Sequence, residues 1–140
     1  MSIPLWMLLG FATWTLVLLI ATVGVYRWVN ILFRKAAISS FRSDRLEGLD
    51  WYQRGTRAHA NCVENLPVFA AIVLVISDIG LESPTVNRLC TIVLIARIAQ
   101  SLVHVLRVQT DGFVAMRFSF FSVQLICFLV LIAMAIWHVA

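Results

Sequence analysis

The sequence predicts an all-α membrane protein, a single domain over residues 1–140 folded as a bundle of four transmembrane helices. Three observations carry the expectation. Hydrophobic residues make up 61% of the chain and charged residues only 13%, against roughly a quarter charged in soluble domains. Four apolar stretches each reach the roughly 20 residues that a helix needs to cross the hydrocarbon. Short polar breaks separate them, with no Gly/Ser-rich linker, and backbone groups in lipid permit few alternatives to helices.

The first span is 3–29, "IPLWMLLGFATWTLVLLIATVGVYRWV". Pro4 suits a first helical turn, where its missing N–H would have had no partner. A cleaved signal would need a basic start and a shorter apolar core before small residues, so this span is expected to be retained. The second span covers 57–79 and opens on charge. "SDIGLESPT" then breaks the chain, with Ser83 as N-cap and Pro84 at the first position of a third helix over 84–108. "QTDG" breaks it again before a fourth helix over 113–139.

The net charge of +4 comes almost wholly from arginine, Lys35 being the one lysine. No basic strip interleaved with aromatics points to nucleic acid, and the arginines suit anionic headgroups or an anionic ligand. Arg34, Lys35, Arg42 and Arg45 read as headgroup contacts, and Trp6, Trp28, Trp137 and His138 as interface anchors. The first connection is basic, Arg107 and Arg117 flank the third, and the second holds Asp78, Glu82 and Arg88. The positive-inside tendency puts the first and third connections in the cytoplasm and both termini on the non-cytoplasmic side. A bacterial inner membrane and an ER-type membrane fit equally. Cys62, Cys90 and Cys127 are irregularly spaced within apolar segments, forming neither a disulfide framework nor a metal pattern. They read as packing residues.

At about 100° per residue, Arg54, Arg57, Asn61 and Glu64 share one stripe of the second helix. Arg97, Gln100 and His104 are similarly spaced on the third, and Arg117, Phe121 and Gln124 on the fourth. Charge at hydrocarbon depth is costly unless paired or wetted, which makes these stripes a site hypothesis. Several guanidiniums with one carboxylate and side-chain amides suit a small anionic molecule that also carries an amine. A glutathione-like peptide has that set of groups. The rival reading is an intramembrane salt-bridge network that pins helices together.

"RGTRAHANCVENLPVF" resembles the second-helix signature of the MAPEG superfamily, the membrane-associated proteins in eicosanoid and glutathione metabolism, microsomal glutathione transferases among them. "ARIAQSLVHVL" and "RFSFF" resemble the family's third helix and fourth-helix start, and the likeness spans essentially the whole chain. The resemblance implies a homotrimer that binds glutathione between subunits near the cytoplasmic face. It implies that Arg57, Asn61 and Glu64 hold the glutathione backbone, with Arg54 at the rim. From the stripe itself, Gln100 is read as a partner for peptide groups and His104 as a donor in place of a tyrosine. Arg117 matches the arginine that stabilises the thiolate, Arg97 the structural arginine of the third helix, and Arg27 or Arg34 a first-helix arginine that reaches the ligand in some relatives.

The chain also departs from its synthase-type relatives. Gln100 and His104 stand where they have tyrosines, Phe118 where prostaglandin synthase has serine, and Phe121 at another tyrosine position. The expectation is therefore general thiolate chemistry: a glutathione-dependent transferase or peroxidase acting on lipophilic electrophiles, with glutathione as co-substrate and no metal. The competing expectation is a non-catalytic lipid-binding or scaffold member of the same family. A small channel is disfavoured, because no span shows the mid-span break of a transport site.

Overall fold

A computed structural model describes residues 1–35, 37, 49–107 and 110–140. Arg42, Arg45 and Val108, assigned above to headgroup contacts and to the end of the third helix, lie outside the described residues.

Four helices, each long and apolar enough to cross a membrane, form the described structure: α1 (Ile3–Leu32), α2 (Asp50–Asp78), α3 (Pro84–Leu106) and α4 (Asp111–Val139). They run up and down, so the chain termini and the α2–α3 turn share one end of the bundle. The α1–α2 and α3–α4 connections share the other, arginine-rich end.

Local chemistry sets the helix ends. Pro4 sits in the first turn of α1. At the far end of α1, Arg34 adopts φ +52° while its N–H donates to the Ile31 carbonyl and the Lys35 N–H to the Asn30 carbonyl. That is a Schellman closure with arginine in the left-handed position usually given to glycine. Gly80, at φ +66°, closes α2 in the same way, through Gly80 N–H to the Ser77 carbonyl and Leu81 N–H to the Ile76 carbonyl. Ser83 caps α3, its hydroxyl accepting from the Thr85 N–H at 3.3 Å.

Two features differ from the expected spans. First, α1 extends to Leu32 and widens to a π-helical turn at Leu19–Gly24, where the Thr22 hydroxyl donates to the Leu18 carbonyl at 2.6 Å. Second, α2 begins at Asp50 rather than near residue 57. Hydropathy marks only the lipid-embedded part of α2. The preceding turns are polar, but Tyr52 and Gly55 are buried, and Asp50 places its carboxylate at the positive end of the helix dipole.

In the core, Phe69 of α2 lies 5.7 Å from Phe11 of α1 and 5.9 Å from Phe128 of α4, ring centre to ring centre. Val73, Val86, Val93 and Leu131 fill the space around them. Cys62, Cys90 and Cys127 are buried free thiols. α4 packs most extensively along α3, and α1 meets both α2 and α3. Only 28–33% of the most apolar stretch of each helix is buried within the subunit, which leaves the remaining apolar surface for lipid or further copies of the chain. Trp6, Trp28 and Trp137 stand exposed near the ends of α1 and α4.

Candidate functional site

The arginine-rich end is built on a close approach of α1 and α2. Gly55 lies against Thr22 so tightly that no Cβ would fit. Beyond this contact the Tyr26 and Tyr52 rings stack at 4.1 Å, Trp51 meets Tyr26 edge-on at 5.5 Å, and Arg27 Nε donates to the Tyr52 hydroxyl at 3.1 Å. Arg54 ties α2 to α3. Its Nε donates to the Val105 carbonyl at 3.2 Å, and its Nη1 pairs with Asp50 one turn earlier.

Along α2, Arg57 and Glu64 are exposed on the single subunit and Asn61 is half-buried. His104 of α3 is half-buried and within electrostatic reach of Arg117, Arg57 and Arg54, which links α3 to charges on α2 and α4. Among the described residues, Arg57, Glu64 and Arg117 form no side-chain hydrogen bond or salt bridge.

Gln100 is placed differently from its neighbours. It is buried, its Nε2 donates to the Arg117 carbonyl at 3.2 Å, and its Oε1 accepts from Gln124 Nε2 at 3.0 Å. Arg97 is 1% exposed. Its guanidinium lies over the Phe11 ring at 5.4 Å, within electrostatic reach of Glu64, and its Nε and Nη2 have no hydrogen-bond partner. It belongs to the core of the bundle, one layer behind the stripe.

Arg54, Arg57 and Arg117 thus lie within electrostatic reach of His104, the stripe continues along α2 through Asn61 to the exposed Glu64, and Gln100 is occupied internally. Tyr52 is a participant that the sequence does not mark, because it precedes the expected start of the second span at residue 57, although Asp50, an acidic residue at a helix start, is a readable signal. Gln124 is legible on the Arg117 stripe but its partner Gln100 is not, because nothing in the chain gives the relative register of α3 and α4. Among the described residues, no group of three His, Cys, Asp or Glu side chains could hold a metal ion. A cavity of mixed polar and apolar lining, with Ser2, Ser77 and Asn87 beside Ile3, Ile76 and Leu81, lies at the opposite end of the bundle.

Four spanning helices with arginines and a carboxylate gathered at one end define an integral multi-pass membrane protein with a polar site set into it. The chain belongs to the MAPEG family, whose sequence pattern matches residues 11–137. No curated protein and no solved structure matches the chain. Membership ties its function, at family level, to the membrane proteins of glutathione and eicosanoid metabolism.

Proposed function

We propose that the protein is a glutathione-dependent membrane transferase with peroxidase capacity, acting on lipophilic electrophiles that arrive through the bilayer. The observation that supports this most is the set of unpaired charges. Arg57 and Arg117 lie within electrostatic reach of His104 and Glu64 within reach of Arg97, all three without side-chain partners among the described residues, and charge in a membrane-embedded site calls for a counter-charge. Glutathione supplies complementary groups: carboxylates for Arg57 and the Arg54 rim, an ammonium for Glu64, and peptide groups for Asn61. His104 serves as a donor, and Gln100 supports the site from α3.

Arg117 stands beside the thiol. A guanidinium there lowers the thiol pKa and raises the nucleophilic fraction at neutral pH. The thiol proton leaves to solvent, the sulfur lone pair forms the C–S bond, and the displaced group departs with the electron pair of the bond it leaves. With a lipid hydroperoxide, two glutathiones provide two electrons, the O–O bond breaks, and alcohol, water and glutathione disulfide result.

Because Arg57 and Glu64 are open on the single subunit, the site is completed by a neighbouring copy in a homotrimer. The basic connections face the cytoplasm of a bacterial inner membrane or an ER-type membrane, and both termini lie on the other side.

Calorimetry of purified protein with glutathione, combined with thiolate absorbance and conjugation of a dinitrohalobenzene, tests the reading. Binding with a thiolate signal and turnover is the expected result. Binding with neither thiolate nor turnover, for any electrophile or lipid hydroperoxide, would replace it with the non-catalytic scaffold reading. A monomer by mass photometry in both detergent and nanodiscs would remove the trimer.

A further inference from the structure

Gln100 and Gln124 are 4% and 0% exposed, and they bond to each other and to the backbone of α4. Gln100 Nε2 donates to the Arg117 carbonyl at 3.2 Å. Gln124 Nε2 donates to Gln100 Oε1 at 3.0 Å and to the Phe120 carbonyl at 2.9 Å. The Arg117 and Phe120 carbonyls can only accept, so they dictate both amide orientations. Turning either amide over would set oxygen against oxygen. Gln124 follows Arg117 by two helical turns, so α4 grips the head of Gln100 from both sides.

This grip reaches the start of α4, where no residue from Asp111 to Phe120 is buried. Arg117 is in the second turn of α4, and the N-cap residue Thr110 makes no side-chain capping bond. Hydrogen bonds surrounded by apolar side chains are costly to leave unmade, which makes such a pair a rigid link between helices.

We propose that Gln100 and Gln124 form an amide clamp that fixes the backbone of Arg117, making both glutamines positioning residues for the guanidinium rather than contacts to the ligand. This rests on the reading of Arg117 as the group beside the thiol. The Gln100 head is spent on α4, and the field at the sulfur depends on how closely the arginine is held, since displacement on the 1 Å scale is enough to weaken a catalytic contact.

The test compares Gln100→Leu, Gln124→Leu and the double variant. Each single change strands a polar partner in the core and lowers thermal stability. The double change removes both partners with nearly isosteric apolar side chains and restores stability towards the wild-type value. In the double variant the clamp predicts an alkaline displacement of the conjugation rate–pH profile, in the direction of Arg117→Ala but smaller. It also predicts about tenfold faster amide exchange across residues 115–121, as expected when a local anchor is lost.

A double variant with wild-type stability, pH profile and exchange overturns the proposal, and so does one less stable than either single, since the pair would then be a contact that the fold itself needs. Exchange requires no glutathione. Wild-type protein that neither binds nor conjugates glutathione refutes the proposed function, while the exchange comparison still decides the clamp.

Discussion

Replacing Gly55 by alanine places a methyl group where Thr22 already stands. A Cβ on Gly55 would lie 2.6 Å from Thr22 Cβ, 2.9 Å from its Oγ1 and 3.0 Å from its Cγ2, whereas carbon atoms in comfortable contact are about 3.5–4.0 Å apart. Thr22 has no rotation that relieves this. Its nearest atom is attached to the α1 backbone, and its hydroxyl is held by the Leu18 carbonyl. α1 and α2 must therefore separate locally by about 1 Å to restore normal contact. Overpacking of this kind costs about 1–3 kcal/mol, and the better helix propensity of alanine returns at most about 1 kcal/mol. The expected net effect is a destabilisation of about 1–2 kcal/mol, opposite in sign to that at an open helical glycine with room for a methyl. The same displacement loosens the Tyr26–Tyr52 stack and the Arg27–Tyr52 bond. Reversible unfolding of the detergent-solubilised protein by titration with sodium dodecyl sulfate, followed by circular dichroism, measures the change. A double-mutant cycle with Thr22→Gly, which vacates the Cβ position, should show a coupling of about 1 kcal/mol or more. A Gly55→Ala protein as stable as wild type, or a cycle without coupling, would refute the close approach of the two helices.

Three further outcomes follow from the site and the helix ends. Glu64→Gln should weaken glutathione binding by about 1.5–3 kcal/mol, roughly 10- to 150-fold, the worth of a hydrogen bond to a charged group; calorimetry reads it, and dissolution of the trimer with unchanged affinity would mark Glu64 as structural. Arg117→Ala should leave glutathione bound but raise the pKa of its thiol, so that conjugation falls at neutral pH and partly recovers as pH rises and the thiolate fraction returns, with Arg117→Lys retaining part of the rate; a rate reduced equally at all pH values contradicts this. Arg34→Gly should stabilise the end of α1 by up to about 1 kcal/mol, because φ +52° strains an L-residue and suits glycine, and a loss of stability would mean that the Arg34 side chain outweighs its backbone.

The four spans were legible because apolar length is a direct reading of bilayer thickness, and Ser83–Pro84 marked a helix start with its own cap. The common face of Arg57, Asn61 and Glu64 was equally legible, since helical spacing alone aligns them. Harder to read was whatever depends on two helices at once. The start of α2 at Asp50 depends on Tyr52 and Gly55 meeting α1, a contact that hydropathy does not register. The π-helical turn at Leu19–Gly24 is a choice of backbone hydrogen bonds that the β-branched residues Ile20, Thr22 and Val23 do not announce. Gln100 illustrates the difference most clearly. Its spacing aligned it with His104, and its partner was decided by the height at which α4 lies beside α3.

Residues 2–4 and 137–138 lie at the end of the bundle opposite Arg54, Arg57 and Arg117, where Ser2 and Pro4 border Gly80 and Asn87 and Trp137 and His138 border Leu81 and Ser83. A linker from the end of one copy to the start of the next therefore never has to cross the bilayer. Copies can be joined head to tail into one polypeptide with flexible segments that stay on a single side, and chosen lesions can be assigned to chosen repeats. Such concatemers would test the proposed cleft between copies by assigning each half to one repeat, a question that mixing separate subunits answers only as an average.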